Sequence, residues 1–155
     1  MAGQIAPIPR RLSRRVLILD FDATTLITLE QLLEEAGFNT TTTWNPGEAY
    51  LLLEQDFFDL IVVGDHRPQI DVHAILHRLE NLNRLIPCIV MRAQPDFSVN
   101  PKWSRLVSTV SGCTGSAVLE KVHRRLARSA ATRSSNVGTP AAITNDSPEP
   151  VLLKK

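Results

Sequence analysis

Asp20 and Asp22 close the apolar run Val16–Leu19 with two carboxylates separated by one phenylalanine, Phe21. Carboxylates at a strand end can hold a hard divalent cation, which takes oxygen ligands, or supply a nucleophile for group transfer. Two later apolar runs, Leu60–Val63 and Ile86–Met91, lead into Gly64-Asp65 and Arg92. If the three runs are neighbouring parallel strands, all of these residues meet at the carboxyl end of the sheet, where open α/β sheets bind ligands. A guanidinium at Arg92 would pair with Asp20 or Asp22 and take over the electrostatic role of a cation. The alternative is that Arg92 turns to solvent, where an ion pair contributes little.

Alternating strand and helix patterns must position this set. The first strand is expected at Arg15–Asp20. A helix follows, capped by Thr24 or Thr25, with Leu26, Leu29, Leu32, Leu33 and Ala36 at helical spacing and Gly37 as a left-handed stop. Phe38–Trp44 holds four consecutive threonines and suits an edge strand. Asn45-Pro46-Gly47-Glu48 opens a second helix, with Asn45 as cap, Pro46 in the first turn and Glu48 reaching back as a capping box. Leu60–Val63 is the third strand, Asp71 caps a helix through Leu79, and Ile86–Met91 is the fourth strand. Beyond it only Lys102–Leu106 suggests a short helix. Leu106–Val110 is the fifth strand and Ser116–Arg128 the last helix. The order implies an α/β class chain with a doubly wound, five-stranded parallel sheet between two helical layers.

Length and charge set the bounds. The 155 residues, 43% hydrophobic, fit one domain over 15–128, a basic arm over 1–14 and a tail over 129–155, both expected to be disordered. Residues 16–120 carry six bases and fourteen acids, a net of −8, while the flanks carry eleven bases and two acids, a net of +9. An acidic domain is a poor nucleic-acid binder. No run approaches the length of a membrane span and no signal peptide is recognisable, so a cytoplasmic location is expected. Two cysteines, Cys88 and Cys113, make no disulfide framework.

From Val16 to about Leu126 the chain resembles the receiver domain of response regulators, the flavodoxin-like module of two-component signalling. The likeness lies in Leu32-Leu33-Glu34-Glu35-Ala36-Gly37-Phe38, in Asp59-Leu60-Ile61-Val62-Val63 with Pro68 beyond, and in Ile86-Pro87-Cys88-Ile89-Val90. The resemblance implies a three-layer sandwich in which an acidic pair after the first strand and an aspartate ending the third hold Mg²⁺. That aspartate takes a phosphoryl group, which a Ser or Thr after the fourth strand and a Lys after the fifth then grip. Asp20 fills the first acidic position, but Phe21 stands where the direct metal ligand belongs. Gly64 falls at the phosphoacceptor, Arg92 at the Ser/Thr, and Ser111-Gly112 where Lys-Pro is expected. Glycine carries no nucleophile, and a phenyl ring offers no oxygen to a hard cation. The likeness therefore implies a degenerate pocket of Asp20, Phe21, Asp22, Gly64, Asp65, Arg92 and Ser111, with no catalytic residue, metal ligand or cofactor.

Two other chemistries use the same residues. Asp65 would be a displaced phosphoacceptor if a bulge turned it inward, since a one-residue slip reverses a strand side chain. Asp20-Phe21-Asp22-Ala23-Thr24 also resembles the Asp-x-Asp-x-Thr motif of haloacid-dehalogenase-like phosphatases, although the spacing to Asp65 and the arginine at position 92 depart from that family. His73 and His77 form an i, i+4 pair that reads as an ordinary helix surface. The leading expectation is a divergent, unphosphorylated receiver domain acting as an interaction module. Its partners would be a histidine kinase, an output protein or another receiver, with a homodimer as a further option. Export of the signal is expected through Trp103, Lys121, Arg124, Arg125 and Arg128, without a DNA-binding domain or a membrane span.

Overall fold

The structure, a computed structural model, describes residues 13–66, 69–111 and 114–127. Its strands are β1 (Arg15–Leu19), β2 (Asn39–Thr43), β3 (Leu60–Gly64), β4 (Cys88–Met91) and β5 (Val107–Val110). They form one parallel sheet in the order β2-β1-β3-β4-β5. The helices are α1 (Ala23–Glu35), α2 (Pro46–Gln55) and α3 (Val72–Asn81), with residues 115–127 helical as α4. Contacts divide the chain into residues 1–122 and 123–155, and of the second unit the described part is the helical stretch 123–127. The doubly wound parallel sheet and its flavodoxin-like strand order are as the sequence pattern predicts. The N-terminal arm up to residue 12, Arg128 and the 129–155 tail lie outside the described residues.

The sheet is central because its inner strands β1, β3 and β4 are apolar on both faces, as parallel strands covered by helices must be. Leu17, Leu19, Ile61, Val63, Cys88 and Val90 pack with Ala49 and Leu53 of α2 and Ile75, Leu76 and Leu79 of α3. The alternate residues Val16, Ile18, Leu60, Val62, Ile89 and Met91 are fully buried on the opposite face. Burying one such side chain stabilises the fold by roughly 1.5–3 kcal/mol.

Local signals place most element ends. Gly37, at φ +98°, ends α1 with Phe38 N–H donating to Leu33 O at 2.9 Å and Gly37 N–H to Glu34 O at 3.0 Å, a Schellman stop. Asn45 caps α2 and Asp71 caps α3. Three details differ from the sequence reading. Asp22, rather than Thr24 or Thr25, caps α1, because its carboxylate accepts the Thr24 N–H at 3.3 Å and the Thr25 hydroxyl at 2.8 Å. Glu48 does not bond back to Asn45 N–H. That amide donates to Thr43 Oγ1 at 3.1 Å, and Glu48 accepts from the Thr43 hydroxyl instead. Between β4 and β5 a short 3₁₀ turn, Pro101–Trp103, stands where Lys102–Leu106 was expected to be helical.

Trp103 was expected on a partner-binding face, yet it is only 6% exposed, while Trp44 is 64% exposed. With no full helix after β4 to cover α3, the Trp103 indole fills that space, edge-on to His77 at 4.8 Å. Trp103→Ala should therefore destabilise the domain by about 3–5 kcal/mol. Trp44→Ala should stay within about 0.5 kcal/mol of the parent. Urea denaturation of the two variants checks the assignment, and equal midpoints would refute it.

Candidate functional site

The carboxyl ends of β1, β3 and β4 converge on one buried carboxylate. Asp20 is 0% exposed and directly follows β1. Its Oδ1 accepts the Asp22 backbone N–H at 2.7 Å. Arg92 Nη1 donates to Oδ1 at 3.1 Å and Oδ2 at 2.9 Å, so one nitrogen spans both oxygens. His66 Nε2 lies 3.0 Å from Oδ1 and 2.8 Å from Arg92 Nη1.

The other guanidinium nitrogen binds the start of α1. Arg92 Nη2 donates to Thr25 Oγ1 at 2.8 Å and to Asp22 Oδ2 at 3.3 Å, and the Thr25 hydroxyl donates to Asp22 Oδ2 at 2.8 Å. The Thr25 hydroxyl, the Thr24 N–H and the Arg92 charge hold the Asp22 carboxyl below its usual range, with the Thr25 hydrogen bond the largest cause and desolvation opposing it. The helix cap is thus anionic at neutral pH. Its charge is lost only as pH falls below the ordinary carboxylate value.

Arg92 reaches this position at a backbone cost. Its φ is +55°, in the left-handed region that costs an L-residue roughly 1–2 kcal/mol. The turn directs the side chain from the end of β4 across β3 to Asp20 at the end of β1. Such strain persists where surrounding contacts over-determine it, and four donated contacts to Asp20, Asp22 and Thr25, with the approach to His66, do so here. The inward alternative of the sequence reading is the one observed.

Gly64 makes room for the pair. A Cβ at position 64 would stand 2.2 Å from Asp20 Oδ2 and 3.0 Å from His66 Cδ2. Any side chain there must displace the carboxylate that Arg92 holds. The site therefore lacks a nucleophile at this position, and the atoms of a neighbouring ion pair fill the volume one would need.

The remaining expected residues are placed less centrally. Asp65, 2% exposed, turns to the loop after β4, where Oδ2 accepts the Gln94 N–H at 3.2 Å. Phe21 is 39% exposed, its ring 5.9 Å from that of His66. Phe21, Asp65, His66, Gln69, Gln94 and Asp96 line an open cleft of about 570 Å³ above the pair. Ser111 is exposed just past β5, while Gly112 lies outside the described residues. Among the described residues no group of three or more His, Cys, Asp or Glu could hold a metal ion. His73 and His77 are engaged separately, His73 Nε2 with Ser98 O at 2.6 Å and His77 with Trp103. Sequence reasoning missed His66 altogether. Its only signal was position, two residues past the glycine that replaces a strand-end acid.

Removing the guanidinium leaves Asp20 buried without a counter-charge. Arg92→Asn should lose about 3 kcal/mol, the low end for breaking a buried pair, because Arg92 is partly exposed. Arg92→Thr should lose about 1 kcal/mol more, since a β-branched side chain resists φ +55° and asparagine tolerates it. Chemical denaturation at neutral pH reads both values, and parent-like stability of either variant would remove the pair from the account of the fold.

No family model matches the chain, and no curated protein matches it in sequence. Solved structures do match. The receiver domain of the Francisella response regulator 1452 is 22% identical with a TM-score of 0.62, covering 76% of this chain and 99% of that one. The signal receiver domain of an HD domain-containing protein from Pseudomonas fluorescens Pf-5 is 20% identical at a TM-score of 0.64, covering 84% and 98%. The signal receiver domain of a putative LuxO repressor protein from Vibrio parahaemolyticus is 15% identical at 0.67, covering 80% and 98%. At these identities the likeness speaks to architecture. The chain has the flavodoxin-like fold of response-regulator receiver domains.

Proposed function

We propose that this protein is a divergent receiver domain of phosphorelay-type signalling that takes no phosphoryl group and acts by binding other signalling proteins. One observation carries the reading. Arg92 spans Asp20, and the Asp20 carboxylate occupies the volume beside Gly64. A receiver that switches needs a removable cation and a nucleophile at this strand end. Here the cation is part of the chain and the nucleophile's place is full.

The test is phosphoryl transfer itself. Incubation with acetyl phosphate or phosphoramidate and Mg²⁺ should leave the intact mass unchanged. Gly64→Asp alone should not gain phosphate either, because its side chain must first displace Asp20. A stoichiometric mass gain abolished by Asp65→Asn would overturn the reading and make Asp65 the acceptor. Steady turnover of a chromogenic phosphate ester, lost on Asp20→Asn, would favour a haloacid-dehalogenase-like phosphatase.

The partner is proposed to be a histidine kinase, an output protein or another receiver, or a second copy of the chain. One structural neighbour at a TM-score of 0.57 is described as an orphan response regulator of H. pylori, and another as the receiver domain of the hybrid histidine kinase CckA. The proposed contact element is α4, which carries Lys121, Arg124 and Arg125. Trp103 leaves the proposed face because it is core, and Arg128 lies outside the described residues. Reversing charge at Lys121 and Arg124 should weaken capture of an acidic partner by several-fold and leave the melting curve unchanged, since surface substitutions shift stability by only about 0.5 kcal/mol. Unaltered capture would move the contact elsewhere.

A further inference from the structure

The cluster contains one contact that its members cannot all satisfy. His66 Nε2 lies 3.0 Å from Asp20 Oδ1 and 2.8 Å from Arg92 Nη1. To bond Asp20 that nitrogen must carry a proton, and to accept from Arg92 it must not. A neutral histidine therefore makes one of the two bonds at the expense of the other. The His66 side chain is 27% exposed and lines the cleft, so solvent protons reach it.

The charges around it set what protonation does. Among the described residues, Asp20 faces His66 from the end of β1 and Arg92 from the end of β4. Asp65 adjoins it after β3, and Asp96 lines the same cleft from the loop after β4. Asp22 lies beyond Arg92, on the far side of the guanidinium. With His66 neutral, one cation serves two carboxylates, Asp20 and Asp22. With His66 charged, two cations serve two carboxylates, and the 2.8 Å approach of Nη1 to Nε2 becomes a contact between like charges. Each carboxylate then takes one cation.

We propose that His66 is a proton-operated latch on the Arg92 lock: charging His66 hands it Asp20 and sends Arg92 outward to Asp22 and Thr25. Asp20 takes part as the arginine's partner, both oxygens engaged by Nη1. The transition also releases the residue held at φ +55°, so the start of the loop after β4 moves with it. This regulation rests on the lock described under the proposed function and adds to it a signal, proton concentration, that needs no phosphoryl donor. Histidine is the side chain suited to it, since its charge changes between about pH 5 and 8.

Nuclear magnetic resonance of the full chain tests the latch. At neutral pH the Arg92 guanidinium protons should exchange slowly with solvent. On acidification their resonances should shift and their exchange accelerate with the same midpoint as the His66 ring, and His66→Gln should abolish the response. His73, bonded to Ser98, and His77, packed on Trp103, serve as internal controls in the same samples. An Arg92 signal that stays fixed while His66 titrates, or that moves equally in His66→Gln, overturns the latch and leaves the lock standing. Absence of a protected guanidinium at neutral pH overturns both. Should His66→Gln fail to fold, agreement or disagreement of the two midpoints in the parent chain decides.

Discussion

A buried carboxylate cannot stay charged alone, and the top of this sheet is arranged around that constraint. Asp20 is withdrawn from solvent at the end of a strand with no exposed face. Desolvating an ion costs several kcal/mol, which only a close, well-bonded counter-charge offsets. Arg92 is that counter-charge. The demand explains features that look unrelated in the chain: a left-handed arginine, a glycine ending β3, a threonine hydroxyl facing inward from α1, and an aspartate cap whose carboxylate is shared with the guanidinium. Each becomes unfavourable if the pair is removed.

A tethered cation differs from a bound one in what it permits. A dissociable metal shifts a protein between states only to the extent that its affinity for them differs, and its withdrawal reverses the shift. Arg92 is always present at a high effective concentration, so its electrostatic work cannot be withdrawn by chelation or competition. Planarity adds to this. The guanidinium reaches Asp20 with one nitrogen and the start of α1 with the other, joining β1, β4 and α1 through one side chain. A spherical ion joins the same oxygens without the directional fork.

The sequence made the fold legible because apolar runs of strand length alternate with helical spacing, and because Gly37, Asn45 and Asp71 carry end signals with few competing uses. It also placed Asp20, Gly64 and Arg92 together, since the strand register leaves little freedom at the carboxyl ends. The failures share a cause as well. Trp103 is expected on a partner face because aromatic residues are enriched in interfaces, and its burial depends on a helix that is missing rather than on any pattern of its own. Asp22 was passed over as a cap because two threonines, equally good cap types, follow it. His66 was invisible because its significance lies wholly in a distance to Asp20, 46 positions away in sequence.

The loop after β4 shows how far the consequences of Arg92 extend. Its backbone leaves the strand through the left-handed turn at Arg92, and the next contacts tie it down in sequence. Gln94 N–H is held by Asp65, Ser98 O by His73, Lys102 by Glu80 at 3.0 Å, and Trp103 by His77. A segment with no α-helix of its own bonds part of its backbone within short turns and takes further partners from Asp65 after β3 and from α3. Those partners lie at intervals of one to four residues along it, close enough that displacement at one anchor strains the next. The first anchor is Arg92 itself, which depends on the charge balance of a buried site. A change in the pairing of Asp20 therefore enters the loop at its origin, and the contacts on α3 determine how far along the surface it travels.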